Sequence, residues 1–407
     1  MNALIEQLEI SREEEEALVD TLQVWSSINS HSTNLAGLEK MLLTLDAAFS
    51  PLKAKSVRIK LPERNSFDNK GNKISRYSGD ALQIKIRPEA PFQFLLAGHM
   101  DTVFEPQSPF QKAKLIADNR LHGPGVADMK GGILIMLTAL KLFERLPFAK
   151  NIGWQVLLTP DEEIGSPSSE ALYRQAAKET NIGLIFEPAF PDGNLVSARK
   201  GSANFLVVAR GRAAHAGRDF HAGRSAIVAL AHYIVLVHDL NSRYPSATLN
   251  IGKIEGGEAA NIVPELASCH INIRANSSLE LNQISEELQQ ITIKAIFAFT
   301  STEDGITLTA YPHSRRDPKQ FDQKTLLLFE NVKQCGEVLK LDILWKESGG
   351  VSDGNILSAE GLPTVDTLGA VGGNLHTPNE YIEIKSLKER AQLTALLLSK
   401  YASHKDI

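Results

Sequence analysis

Apolar residues recur at helical spacing over residues 12–47, with a break at 27–34, which predicts two successive helices. The period then shortens to that of strands at 56–59 and 82–86, separated by a polar, turn-rich stretch over 64–79. Residues 92–97 (FQFLLA) form an apolar run of strand length that leads into Gly98 and His99. Residues 129–143 read as a buried helix, and 153–159 (GWQVLLT) and 183–186 (GLIF) as buried strands. Near-continuous apolar strands alternating with helices predict a mixed, mostly parallel sheet covered by helices on both faces.

The pattern changes after residue 200. Strands are predicted at 202–210, 247–254, 265–274 and 305–311, with helices at 224–240 and 278–297. This β-α-β-β-α-β order is that of a ferredoxin-like module. Helix and strand alternation resumes from about 321, with helices at 321–339 and 385–402. The predicted fold class is therefore α/β with an inserted α+β unit. Residues 1–200 and 316–407 are expected to make a discontinuous α/β domain and 201–315 the insertion.

A chain of 407 residues fits two domains better than one core. The net charge of -5 argues against a nucleic-acid surface. Cys269 and Cys335 are the sole cysteines and have no metal-binding spacing, so neither a disulfide framework nor a thiolate site is expected. The acidic start, MNALIEQLEISREEEEALVD, lacks an apolar signal core, and no run is long enough to span a membrane. These features predict a cytoplasmic protein without membrane partners.

Five short motifs carry the candidate chemistry: Gly98-His99-Met100-Asp101, Gly125-Val126-Ala127-Asp128, Asp161-Glu162-Glu163, Phe186-Glu187-Pro188 and Leu375-His376-Thr377. Each sits at a strand end or in a glycine-rich turn, where α/β enzymes gather their sites. In an extended segment His99 and Asp101 share a side, so the carboxylate can orient the imidazole and leave its other nitrogen for a metal. Asp128 precedes a predicted helix, where an aspartate is commonly a plain cap. Glu162 and Glu163 diverge, so one can bind metal while the other faces substrate. Asp161 makes three acids in a row, which repel unless a cation or hydrogen bonds offset them. Glu187 ends a buried strand and needs a partner. Two imidazoles with several carboxylates suit a pair of divalent metals. HExxH and Walker A signatures are absent from the sequence.

Read together, GHMDTV, GPGVADMKGG, DEEIGS, FEP and GGNLHTPNEY resemble the aminoacylase and glutamate carboxypeptidase family of di-zinc hydrolases, which includes acetylornithine deacetylase and succinyl-diaminopimelate desuccinylase. The resemblance runs from about Leu95 to the last helix. It implies two zinc ions per chain, with cobalt or manganese able to substitute. His99 and Glu187 would bind one, Glu163 and His376 the other, and Asp128 would bridge them. It also implies Glu162 as general base, Asp101 as the orienter of His99, and a cis peptide at Asp128–Met129. The inserted module is similar to the family's lid, which commonly forms a homodimer contact. Gly211-Arg-Ala-Ala-His215-Ala-Gly matches the segment whose histidine stabilises the oxyanion, often across the dimer. Asn261 and Arg274 match substrate-holding positions of the glutamate carboxypeptidase branch. The implied activity is hydrolysis of an amide next to a free carboxylate, in a small peptide or an N-acyl amino acid. An exopeptidase leads. An N-acyl amino acid deacylase is the alternative within the same chemistry, and a catalytically silent metal-binding dimer is the alternative outside it.

Overall fold

A computed structural model describes residues 2–116, 119–299 and 305–403. Its main sheet has six strands in the order Lys55–Lys60, Asp80–Ile86, Gly153–Thr159, Gln93–His99, Ile182–Ile185, Thr364–Val365. The first two junctions are antiparallel and the other three parallel. The apolar runs have no polar face because both faces are covered. Phe94, Leu96, Trp154, Val156 and Leu158 enter a large core with the helices Gly131–Glu144 and Lys385–Ser403. Leu95, Ala97, Leu157 and Ile185 point the other way, into a smaller core with Tyr173 and Leu357. Alternation of side chains along each strand divides one hydrophobic run between two layers.

The first two predicted helices are Arg12–Ser26 and Leu35–Phe49. A capping box between Ser11 and Glu14 starts the former. The stretch expected to be turns over 64–79 instead contains a hairpin, Arg64–Phe67 with Lys73–Arg76. Its four-residue strands lack an apolar alternation because their packing partner is remote. Phe67 meets Tyr311 at 4.3 Å between ring centroids, and Asn69 Oδ1 accepts from His270 Nε2 at 3.0 Å.

Both of those partners belong to a second sheet, ordered Thr248–Gly256, Leu266–Ala275, Gly201–Arg210, Thr307–Arg316, with every junction antiparallel. That is the ferredoxin-like order expected for the insertion. Its helices, Ala226–Arg243 and Ser278–Phe299, share a separate core with Phe205, Val207, Ile271 and Ile273. The last strand runs to Arg316, beyond the predicted 311. Its polar end reads poorly as a strand, but pairing of Arg316 with Ser202 holds it extended. The chain leaves and returns side by side, bridged at Arg199 and Lys319. No helix among the described residues is long and apolar enough to cross a membrane.

Candidate metal centre and active site

The parallel strands Gln93–His99 and Ile182–Ile185 and the neighbouring strand Gly153–Thr159 all end at one edge of the main sheet, and their side chains converge there. His99 is buried; its Nδ1 lies 3.1 Å from the Asp101 carbonyl and 3.3 Å from the Asp101 carboxylate. Its Nε2 faces Asp128 at 3.0 Å and Glu187 at 3.7 Å. His376 Nε2 lies 3.2 Å from Asp128 Oδ2 and 3.2 Å from Glu163 Oε2. Asp128 thus offers one oxygen to each imidazole. It makes no helix cap, since Gly125 precedes the helical turn and no side chain caps it. The Asp128–Met129 peptide is cis.

Six side chains gather here: His99, Asp128, Glu162, Glu163, Glu187 and His376. Potential ligand atoms of His99, Asp128 and Glu163 lie within 4.8 Å of one another, as do those of His99, Glu162 and Glu187. Four acids at this density repel, and the electrostatics records it. Burial, then the charges of Glu187 and Asp353, raise Glu162 well above the ordinary carboxylate range. Burial and Asp128 push Glu163 up to about 7. Burial and the Asp128 charge also raise Glu187, against the pull of His99. Hydrogen bonds to Asp128 and Glu163 raise His376 to about 11. Burial works against a charge on His99, but hydrogen bonds to Asp101, Asp128 and Glu187 outweigh it and raise its pKa. Asp128, despite its burial, is lowered by hydrogen bonds from His376 and His99. Retained protons therefore balance charge that divalent cations could balance instead. The donor set fits such ions. Glu163 Oε1 is buried without a hydrogen-bond partner, an orphaned oxygen of the kind a ligand to metal leaves.

Asp101 also has partners besides His99. Its carboxylate accepts from the backbone amides of Glu162 and Glu163, both at 3.1 Å, and from the Ser32 hydroxyl at 2.7 Å. Asp161 is satisfied without a cation: Ser168 N–H and the Ser169 hydroxyl donate to it at 2.8 and 2.5 Å. Burial nonetheless holds its pKa up at about 6.

Arg274 lines a cleft of about 420 Å³ together with Glu162, Glu163 and His376. Its Nε donates to Asn272 at 3.0 Å, while Nη1 is buried with no partner. His215 and Asn261 are not brought to this cleft. They lie beside each other on the insertion, where Ala216 N–H donates to the Asn261 carbonyl at 3.0 Å, and both side chains are exposed.

Three residues of the site went unassigned from sequence. Glu380 is fully buried and accepts from the amides of Gly125, Ala127 and Asp128 at 3.3, 2.8 and 3.1 Å. It ties the His376 loop to the Asp128 turn. Burial and the Asp128 charge hold its pKa up at about 8. Its signal was an acid four residues after His376 in one loop. Arg316 pairs with Asp353 at 2.8 Å and approaches Glu162 at 3.9 Å. Neither Arg316 nor Asp353 carried a readable signal beyond a predicted boundary and a glycine-rich turn.

Residues 95–400 match the peptidase family M20/M25/M40. The chain belongs to that family. It is 26% identical over 340 residues to carboxypeptidase G2 of a Pseudomonas species, covering 79% of this chain and 76% of that one. It is 27% identical over 332 residues to acetylornithine deacetylase of Pectobacterium carotovorum, covering 76% and 80%. The M20 family metallo-carboxypeptidase Sso-CP2 of Sulfolobus solfataricus superimposes with a TM-score of 0.71 at 18% identity, over 97% of this chain and 100% of that one. The M20 family comprises dinuclear metal-binding peptidases, and this member is a metal-dependent hydrolase.

Proposed function

We propose that the protein hydrolyses an amide bond next to a free carboxylate, as an exopeptidase of the glutamate carboxypeptidase type. The observation that carries this reading is Arg274. A half-buried guanidinium, with one buried nitrogen left without a partner, lines the same cleft as Glu162 and Glu163. Such a group matches a substrate carboxylate in charge and geometry. Asn261 stands beside His215 and outside this cleft, and would meet the same substrate from the partner subunit.

His99 and Glu187 would hold one zinc ion, Glu163 and His376 a second, and Asp128 would serve both. Cobalt or manganese could take their place, since the ligands are nitrogen and carboxylate oxygen. When bound, the metals supply Lewis acidity that activates water and polarises the scissile carbonyl. Glu162 takes a proton from the attacking water and delivers it to the leaving nitrogen, a role helped by a pKa raised through burial. Asp101 holds His99 and the amides of Glu162 and Glu163 in place. Arg274 fixes the carboxylate and so the register of the bond to be cut. Residues 201–315 act as lid and dimerisation domain on a catalytic domain of 1–200 and 316–407. His215 reaches the oxyanion from the partner subunit, in accord with its exposure and its place outside its own cleft.

The likeness to acetylornithine deacetylase supports a second reading, N-acyl amino acid deacylation. Both reactions leave a carboxylate beside the bond cut. A screen of zinc-loaded protein against peptides and folate-like amides ending in glutamate, beside N-acetyl amino acids, separates them. Turnover of the first group with a KM raised in Arg274→Ala supports the exopeptidase. Turnover of the N-acetyl compounds alone moves the assignment to a deacylase, and no turnover of either refutes both.

A further inference from the structure

A second cavity, of about 480 Å³, is lined in part by residues 191–193, which follow Glu187 in the chain, and by Val371, which precedes His376. It opens at the N-terminal end of the long helix Lys385–Ser403. Arg390, one turn into that helix, forms part of its wall and is 3% exposed. Its Nη2 donates to the Gly193 carbonyl. Its Nη1 is buried and has no partner, and no ion pair to Arg390 occurs among the described residues. A guanidinium has five donors and cannot shed its charge, so a buried one without a carboxylate is an unsatisfied group. Burial lowers its pKa to about 10, which registers the same deficit.

No charge around the cavity forms an ion pair with that guanidinium among the described residues, although the nearby Glu389 carboxylate offsets part of the effect of its burial. Asp192 is engaged by Lys346 at 2.7 Å, and Glu383 by Arg120 at 2.7 Å. Glu389 faces Lys385 on its own helix at 3.9 Å. Asp342 is exposed, and Lys340, also exposed, adds a further cation to the lining. Amides of the first helical turn add positive potential at the same end. We propose that this cavity binds a small oxyanion, a carboxylate or a phosphate, with Arg390 as its principal donor and Lys340 at its rim. Residues 191–193 continue from the Glu187 segment and Val371 leads to the His376 loop, so an occupant bears on both strands of ligands.

The test is calorimetric titration of the zinc-loaded protein with inorganic phosphate and, separately, with succinate, at constant ionic strength. Removal of a charge-assisted contact predicts at least about tenfold weaker binding to one site in Arg390→Met. Arg274→Met, which alters only the catalytic cleft, should keep that site. Binding of phosphate but not succinate assigns a phosphate-bearing ligand, and the reverse a carboxylate. Folded Arg390→Met that titrates like wild type overturns the proposal, as does wild type that binds neither anion, or loss confined to Arg274→Met. Should Arg390→Met fail to fold, Lys340→Ala decides: at least about threefold weaker binding supports the site, and an unchanged isotherm refutes it.

Discussion

Glu162 and Glu163 are adjacent acids, and the roles assigned to them predict opposite consequences of the same substitution. Glu162→Gln removes a carboxylate to which no described residue donates a hydrogen bond; its nearest cation, Arg316, stands at 3.9 Å. Its pKa lies well above the ordinary range, so the folded protein prefers this group neutral, and its charged form costs stability at neutral pH and above. A neutral isostere removes that cost. The metal-free variant should therefore melt no lower than wild type at pH 7.5 and should still bind metal. Turnover should fall by at least about 10²-fold, the usual scale for a general base. That is about 2.7 kcal/mol on the barrier. Glu163→Gln removes an anionic oxygen that faces His376 at 3.2 Å and leaves the orphaned Oε1 position with an amide. Even partners one step behind a metal ligand cost about 10–100-fold in affinity. Glu163→Gln should thus weaken metal binding at least tenfold by chelator competition, with activity recovering in part at excess zinc. The assays are kcat at saturating metal, metal competition and thermal melting on both variants. If both lose metal to the same degree, or both keep metal and lose turnover alike, the division of roles is wrong.

The site makes further predictions. Metal binding at pH 7 should release protons, because His376, at about 11, and Glu163, at about 7, must give theirs up; calorimetry in two buffers of different ionisation heat would show no difference if that is mistaken. Both of those pKa values lie above the unfolded ones, so the metal-free fold gains stability from bound protons at low pH. That gain should drain away as pH rises, from Glu163 between about 4.5 and 7 and from His376 between about 6.5 and 11, seen as a falling melting temperature. Glu380→Gln turns an acceptor of three backbone amides into one that sets an NH₂ against an N–H, at a cost of about 1–3 kcal/mol; urea midpoints and metal affinity should fall together, and wild-type values of both would remove Glu380 from the architecture of the site. Mixing His215→Ala with Glu162→Gln under subunit exchange should restore activity in heterodimers, and proven heterodimers without activity would falsify action across the dimer.

Much of this protein was legible in one dimension because its signals are local. The run Phe94–Ala97 needs no tertiary knowledge to read as a buried strand, since covering both faces of a sheet leaves no polar position to mask. The metal-ligand types His99, Asp128, Glu163, Glu187 and His376 were identifiable because ligation restricts chemistry to a few side chains, each placed at a strand end or glycine turn. The order of strands and helices after residue 200 disclosed the ferredoxin-like insertion for the same reason. By contrast, the hairpin at Arg64–Phe67 and Lys73–Arg76 escaped, because what buries Phe67 is Tyr311, more than two hundred positions away. Separation along the chain likewise hid Glu380's grip on the Asp128 turn and Arg316's approach to Glu162. Which oxygen of Asp128 faces which histidine, and that His215 and Asn261 stand apart from Arg274's cleft, were likewise settled only by the fold. Periodicity records which side of an element is buried, and residue type records what chemistry is possible. Neither records which remote group closes a contact, because that depends on how whole layers pack.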